Sequence, residues 1–488
     1  MIFSKVRPAE SRPRAAAASS ITPSRGSRTR LLALAVAGAV AAALFLARRP
    51  SPRVEAVVEA VVEPVAEPTD GYPPLDAPAP LPPLVTSADP APPALADLQS
   101  PSSALPDADT HLLVVLGGRL QARSRISAND LQSGEALLQR HPDVAAARVL
   151  LEALLFAVGS QERAARQPEK AAFHFRRAVE VRPDEIRPRA ALVSALLEAS
   201  DWAGAEAAAR DLLAREPRHS EALRALGFAL MRQDRNREAQ DALRASLEAR
   251  DDAATRALLD RVQKAESDER GMTEQRLAHF NVRYDGEAHD AVGREILRAL
   301  ERHYASLTRR FDHRPAATIP VVLFSEQSYF DATGAPFWSG GQYSHFDGRI
   351  SIPIGGLTSD LTPTLDDVLI HEVAHAFVHD LSRGVAPRDI HEGLAQYVEG
   401  KRVEAVLGAN GLMALSEGRV SGVWAFYLSA LGLVEQLAAE RGQGGLNEML
   451  RLMGETGSVD EAFRRVYGRD HAQAAEVWAA RLRQQHSR

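Results

Sequence analysis

The stretch IHEVAHAFVHD, Ile370–Asp380, places three histidines four residues apart: His371, His375 and His379. In an α-helix, residues at i and i+4 lie on one face, so His371 and His375 bring two imidazoles within reach of one metal ion. The intervening Glu372 then points toward the open coordination position of that ion. Because this H-E-x-x-H pattern is short, it predicts a metal site only together with a third ligand.

The third ligand predicted from the sequence is Glu392, in the stretch PRDIHEGLAQYVEG. Gly384 and Pro387 allow the chain to reverse after the first helix, so that a second helix returns beside it. Asp389 and Glu392 also form a capping-box pattern, and the alternative role for Glu392 is to satisfy the start of that helix. The two roles are compatible, because a ligand in the first turn of a helix is held rigidly.

Two other histidines near the motif are expected not to bind the metal. His379 lies a further helical turn from His371, too far to share one ion, so we expect it beside the site or on a solvated face. His391 directly precedes Glu392, and neighbouring residues of a helix point in different directions.

Composition limits the chemistry of any such site. The chain has 488 residues, of which 45% are hydrophobic, enough for two or three domains. A net charge of −6 gives no reason to expect nucleic acid as a partner. The chain contains no cysteine, which excludes disulfides, thiolate ligands and a thiol nucleophile. Histidines and carboxylates must therefore hold any metal.

The N-terminal region predicts a membrane anchor. Residues 31–47 are uncharged, lie between Arg30 and Arg48, and as a helix reach about 25 Å, close to the thickness of a hydrocarbon core. Basic residues dominate the preceding tail, 1–30, which predicts a cytoplasmic N-terminus. We expect a single-pass protein of the cell inner membrane with the bulk of the chain in the periplasm. A cleaved signal peptide is the alternative.

A proline-rich segment follows the anchor, and a repetitive helical segment follows that. Residues 48–110 predict a disordered linker, because no helix or sheet tolerates such a density of proline. Residues 111–270 predict helices with a period of 34, the separation of Pro183 from Pro217. Alanines share this period, at positions 171, 205 and 239. An earlier unit is expected to carry extra residues at 159–170. An alanine-rich bundle without repeats is the alternative.

This period resembles the tetratricopeptide repeat, in which small residues lie where paired helices pack closely and proline ends the second helix. The resemblance implies a concave surface that binds a protein partner.

The remainder, 271–488, mixes strand and helix patterns. HFNVRYDG at 279–286 and IPVVLFS at 319–325 predict strands, the second of them buried. GRISIPIGG at 348–356 predicts an edge strand because it contains a proline. Thr364, with Asp367 three residues later, predicts the start of the helix that carries the histidines.

The H-E-x-x-H motif, the reversing loop and the EGLA stretch that begins at Glu392 together resemble the gluzincin metallopeptidases. Over about residues 275–470 the chain is similar to small bacterial "peptidase MA-like" domains, which are often joined to tetratricopeptide repeats. The resemblance implies an α+β zincin-like fold and one Zn²⁺ held by His371, His375 and Glu392. It also implies that Glu372 is the general base that takes a proton from the water at the metal.

Other family positions carry over less directly. The family uses a downstream Tyr or His to stabilise the transition state, and Tyr427 is the candidate, with Tyr397 and His471 as alternatives. The family often has an acid four residues after the ligand Glu, where it supports a ligand histidine. This chain has Gln396 there, and we expect its carbonyl oxygen to accept from the N–H of a ligand histidine, more weakly than a carboxylate would. It has His391 where the family commonly has Asn.

The sequence thus predicts a multidomain chain: a transmembrane helix, a disordered linker, a tetratricopeptide-like helical solenoid and an α+β zincin-like domain. Its predicted function is membrane-anchored, zinc-dependent hydrolysis of a protein or peptide substrate. One alternative is a tetratricopeptide scaffold whose peptidase-like domain binds zinc or peptide without turnover. Another is an adaptor without metal. Zinc content and hydrolysis distinguish the three.

Overall fold

The structure is a computed structural model that describes residues 105–284, 290–335, 340–355, 361–418, 420 and 422–486. This part of the chain is mostly helical with a small mixed sheet, in agreement with a helical repeat followed by an α+β domain. The predicted cytoplasmic tail and membrane anchor lie outside the described residues, as does the predicted linker up to residue 104. The predicted linker reached residue 110, whereas a helix already begins at Asp107.

Helices alone form the first half of the described chain, up to residue 268. In chain order they are α1 Asp107–Gln121, α2 Ala128–Arg140, α3 Ala145–Ala164, α4 Pro168–Val181, α5 Ile186–Glu198, α6 Trp202–Arg215, α7 Ser220–Arg232, α8 Asn236–Ala249 and α9 Ala253–Asp268.

The period of 34 is visible in where these helices begin. α4, α6 and α8 begin at Pro168, Trp202 and Asn236, and α5 and α7 begin at Ile186 and Ser220. The alanines at 171, 205 and 239 are fully buried, where a larger side chain would separate the paired helices. One left-handed residue precedes α4, α6 and α8 at the same spacing: Arg166, Ser200 and Asp234, with φ of 60°, 57° and 61°.

The expected extra residues at 159–170 are absent. Helix α3 ends at Ala164 and α5 ends at Glu198, again 34 residues apart, so the turn after α3 has the ordinary length. The additional length lies instead at the beginning of α3, which has 20 residues where α5 has 13.

A five-stranded sheet in the order β1-β2-β3-β5-β4 follows the helices. Its central strands β2, β3 and β5 are parallel, and β1 and β4 pair antiparallel at the two edges. The strands are β1 Thr273–Arg276, β2 Phe280–Tyr284, β3 Ile319–Phe324, β4 Gln342–Tyr343 and β5 Ile350–Pro353.

The prediction that the strand containing Pro353 is an edge strand is wrong. β5 pairs with β3 on one side and with β4 on the other. The proline is tolerated because β4 pairs only with Ile350 and Ser351, so Pro353 lies beyond the ladder that β4 forms. The short strand β4 is the edge.

Helices surround this sheet, and one of them carries the histidines. They are α10 Asp290–Phe311, α11 Glu326–Thr333, α12 Pro363–Ser382, α13 Arg388–Glu399, α14 Val403–Ser416, α15 Gly422–Thr456, α16 Val459–Tyr467 and α17 His471–His486. The inner sheet strands and the helices α10, α12, α13 and α15 share one hydrophobic core. α12 begins two residues earlier than predicted, because Thr362 and not Thr364 accepts the capping bond from Leu365 N, at 3.2 Å.

Within the described residues, α15 is the one helix that meets the length and hydropathy expected of a membrane span. It breaks at Gly442, where φ is 66° and ψ −171°, and Val434 and Leu437 are fully buried in the core. This burial accounts for its apolar sequence.

Charged residues attach the repeat helices to the sheet. Asp234, the left-handed residue before α8, receives two bonds from Arg283 on β2, at 2.6 and 2.8 Å. Glu269, directly after α9, pairs with Arg349 at 2.8 Å. These contacts hold the repeat helices against β2 and against residues 344–349, which we call the β4–β5 loop.

Candidate metal centre

The turn between α12 and α13 reverses the chain as predicted. Gly384 adopts a left-handed φ of 71° and donates its backbone N–H to the carbonyl of His379, at 2.8 Å. α13 then begins at Arg388 and packs beside α12. The reversal brings the predicted third ligand to the two histidines.

His371, His375 and Glu392 converge on one point. The Nε2 atoms of His371 and His375 lie 3.6 and 3.8 Å from the same Oε2 atom of Glu392. These distances are too long for good hydrogen bonds. They are close to the separation of two ligands on one tetrahedral zinc, about 3.3–3.5 Å for bonds of about 2.0–2.2 Å. Two imidazoles and a carboxylate are also a donor set that zinc accepts, so these residues fit a zinc ion.

Glu392 does not form the capping box that was the alternative. The residue that caps α13 is Pro387, which has no side-chain acceptor. Asp389 accepts from the neighbouring N–H of Ile390, at 3.0 Å, and from His471, at 2.7 Å. The Glu392 carboxylate faces the histidines of α12.

Glu372 carries a second carboxylate close to this point and is not one of the three converging side chains. Its side chain is buried, and within the described residues its Oε2 atom has no hydrogen-bond partner. Burial raises the pKa of Glu372 to about 7; the charges of Glu392 and Glu399 add to the effect and His371 opposes it. A carboxylate with this pKa can accept and return a proton near neutrality.

Gly341, the residue before β4, packs directly on Glu372. A Cβ atom at Gly341 would lie 2.9 Å from both Cγ and Oε1 of Glu372. The absence of a side chain at this position therefore fixes how closely the sheet edge approaches the predicted general base.

Glu399 contacts His371, one of the two predicted ligand histidines, and so occupies the role that the family resemblance suggested for position 396. The Nδ1 atom of His371 lies 3.1 Å from Oε2 of Glu399, and Lys401 Nζ lies 2.7 Å from the other oxygen. Gln396 instead donates its amide N–H₂ to two backbone carbonyls, those of Glu392 and Tyr427, at 3.1 and 3.0 Å. The expectation that Gln396 contacts a ligand histidine is therefore wrong.

The carboxylates of Glu392 and Glu399 set the protonation of His371 in the metal-free protein. Burial alone would lower the pKa of His371, but the carboxylates of Glu392 and Glu399 outweigh burial and raise this pKa to about 10. Burial dominates at His375, whose pKa falls to about 3. The two histidines of the motif are thus electrostatically different.

Of the three candidates for transition-state stabilisation, Tyr427 is the one whose hydroxyl feels the charges of Glu392 and Glu372. Burial raises the pKa of Tyr427, the charges of Glu392 and Glu372 add to this effect, and Arg388 opposes it while hydrogen-bonding the tyrosine. The hydroxyl therefore stays protonated and can donate. The ring of Tyr397 lies under the guanidinium groups of Arg310 and Arg402, at 4.9 and 4.2 Å. His471 is engaged by Asp389.

A second group of histidines lies next to the first. His345, in the β4–β5 loop, has its Nδ1 atom 3.2 Å from Nδ1 of His379, and its ring centroid lies 4.5 Å from that of His391. His391 is only 3% exposed and lies 5.7 Å from the ring of His375. Contrary to expectation, His391 does not point away from the site. His379 lies beside the site, which is one of the two placements expected for it.

Sequence reasoning missed His345 and Glu399. Glu399 follows Glu392 by two helical turns on the same face of α13, which is a usable signal. The only sequence signal for His345 was its position in a short glycine-containing loop before α12.

Neither a protein-family model nor a curated protein matches this chain. The arrangement of the side chains therefore carries the functional argument.

Proposed function

We propose that this protein is a zinc-dependent peptidase that hydrolyses a protein or peptide substrate. One observation carries the proposal: the Nε2 atoms of His371 and His375 lie 3.6 and 3.8 Å from one oxygen of Glu392, with the buried Glu372 beside them. Three protein ligands leave one coordination position free, as in catalytic rather than structural zinc sites.

Each neighbouring residue has a role in this reaction. A bound zinc ion supplies Lewis-acid polarisation of the scissile carbonyl and of the attacking water. Glu372 accepts the proton of that water and returns it to the leaving amine, for which a pKa near neutrality is suited. Tyr427 donates a hydrogen bond from its hydroxyl to the carbonyl oxygen as negative charge develops there. Glu399 holds the ring of His371 in orientation.

The sheet edge offers a place for an extended substrate. β4 is an edge strand, and Gly341, the residue directly before it, packs on Glu372. A peptide that pairs with β4 gains backbone hydrogen bonds and passes close to the general base. Main-chain recognition of this kind favours peptides over other acyl compounds.

The proposal includes the location and partner of the enzyme. The uncharged run 31–47 with a basic tail before it favours an inner-membrane anchor and a periplasmic catalytic part. The period of 34 and the helix pairs of α3–α8 favour tetratricopeptide-type repeats, whose concave surface would bind a protein partner.

Glu399 removes one argument for the alternative of an inactive scaffold. That argument was the weak support which Gln396 would give to a ligand histidine. Glu399 supplies a buried carboxylate to His371, so the support of this histidine does not depend on Gln396.

The test is a comparison of wild type with His375→Ala in the full-length chain. We expect His375→Ala to bind one zinc ion fewer than wild type and to lose hydrolysis of a denatured protein substrate. His303→Ala is the control, because His303 pairs with Asp366, at 2.9 Å, outside the site. If His375→Ala keeps the zinc content and the activity of wild type, the proposal is wrong. A wild type that binds zinc but hydrolyses no peptide bond would favour the scaffold.

A further inference from the structure

We propose that His345, His379 and His391 form a second metal site, which takes a divalent transition-metal ion of the zinc class. One ring nitrogen from each of the three lies within 4.8 Å of the others. The three residues come from three separate elements: the β4–β5 loop, α12 and α13. Three imidazoles are a ligand set that zinc accepts, with a fourth position left for water.

The ring of His345 contacts the rings of both other histidines, with its centroid 5.3 Å from that of His379 and 4.5 Å from that of His391. His345 and His379 face one another, Nδ1 to Nδ1, at 3.2 Å. That distance is close to the ligand separation of about 3.3 Å expected on one zinc ion.

A buried atom without a partner provides a second, independent observation. The Nδ1 atom of His391 is inaccessible to solvent and has no hydrogen-bond partner among the described residues, in a side chain that is 3% exposed. An unsatisfied buried nitrogen is costly, and the histidines of a metal site satisfy theirs through the ion and its surroundings. His391 contacts the ring of His345, so an ion between the three rings lies within its reach.

The repeat helices hold the loop that completes this site. Arg232, at the end of α7, donates to the carbonyl of Phe346, at 3.0 Å, and the Phe346 ring lies 6.2 Å from that of Phe228. Phe346 directly follows His345. The ion would therefore tie the β4–β5 loop to α12 and α13, beside the predicted catalytic zinc.

The test counts metal ions in the full-length chain after equilibration with zinc and removal of unbound ions, by mass spectrometry of the metal. We expect two zinc ions per chain in wild type and one in either His345→Ala or His379→Ala. His375→Ala should also hold one ion, and the His375→Ala/His379→Ala double variant none. The control His303→Ala should retain two.

The pattern of losses separates this proposal from the proposed function. If wild type holds a single ion that His375→Ala removes and that both His345→Ala and His379→Ala retain, the second site does not exist and the peptidase proposal stands. If wild type holds a single ion that His379→Ala removes and that His375→Ala retains, the peptidase proposal fails and the second site stands. His345→Asn keeps a polar side chain on the loop and should also lose one ion, which guards against misfolding of the alanine variants.

Cobalt substitution gives a readout that does not depend on activity. We expect Co²⁺ in His375→Ala to give the visible absorption of a nitrogen-rich, low-coordinate site. His379→Ala should remove this spectrum when it is added to His375→Ala. A cobalt spectrum in His375→Ala that His379→Ala leaves unchanged would overturn the assignment.

Discussion

The Nδ1 atom of His371 lies 3.1 Å from the Oε2 atom of Glu399, whose side chain is 5% exposed. This contact connects the ring of His371 on α12 to the far end of α13, two turns beyond Glu392. It provides a carboxylate-histidine pair at one of the proposed zinc ligands.

Glu399→Gln should weaken zinc binding at the His371 site by about 10–100-fold, because the ring loses the carboxylate that orients it. Competition with a chromogenic chelator measures the change. Glu404→Gln removes a charge from an exposed position on α14 and should leave zinc affinity unchanged. Equal affinities in Glu399→Gln and wild type would show that this carboxylate does not support the site.

Zinc affinity should rise with pH. In the metal-free protein burial opposes protonation of His371, but the carboxylates of Glu392 and Glu399 prevail and raise its pKa to about 10. A ligand must be deprotonated, so below this pKa zinc displaces one proton from His371. The apparent dissociation constant should therefore fall about tenfold per pH unit between about pH 7 and 9. Titration calorimetry in two buffers of different ionisation enthalpy measures the proton released.

Glu399→Gln provides the internal control for this pH effect. Removing one of the two carboxylates lowers the pKa of His371. The rise of zinc affinity with pH should therefore level off at a lower pH than in wild type. An affinity independent of pH in wild type would show that His371 is neutral before zinc binds.

Gly341→Ala should slow hydrolysis without removing zinc. The new Cβ would lie 2.9 Å from two atoms of Glu372, so the general base must move while the three ligands stay in place. We expect kcat to fall about 10²-fold, the typical cost of a misplacement of about 1 Å. Gly340→Ala is the matched control, since its Cβ approaches only the tip of Val368, at 3.2 Å. Equal losses in both variants would point to a general effect on the sheet edge.

Gly393→Ala should destabilise the protein and disturb the adjacent ligand Glu392. A Cβ at Gly393 would lie 2.3 Å from the backbone carbonyl of Ala430, so α13 and α15 must separate. We expect a loss of about 1–3 kcal/mol in the free energy of unfolding, measured by chemical denaturation. Gly444→Ala, on the exposed surface of α15 with no atom within 4 Å, should instead be stabilising by up to about 1 kcal/mol.

Local sequence patterns were sufficient for the part of the site that lies on helices. The spacing of His371, Glu372 and His375 depends only on helix periodicity, and the reversing turn at Gly384 brings Glu392 back to them. Sequence could not choose between positions 396 and 399 as the supporting residue. Both lie on one face of α13 with Glu392, and the packing of α13 against α12 decides which one meets a histidine.

Long-range contacts explain what the sequence did not reveal. β4 has only two residues, too few for an alternating pattern that the sequence could reveal. Pro353 therefore suggested that β5 is an edge strand, whereas β4 pairs with β5 on that side. The position of His345 depends on Arg232 and Phe228, which are more than 100 residues earlier in the chain and hold the β4–β5 loop. No local pattern encodes such a contact.

The most direct test of the central claim is the peptidase activity and zinc content of Glu372→Gln, measured together. The substitution preserves the shape of the side chain and the three ligands, but an amide cannot accept the proton. We predict wild-type zinc content and folding with hydrolysis reduced about 10²–10⁴-fold, or about 3–5 kcal/mol of barrier. Unchanged hydrolysis by a zinc-loaded Glu372→Gln would contradict the account, because catalysis would then not require this residue as the base.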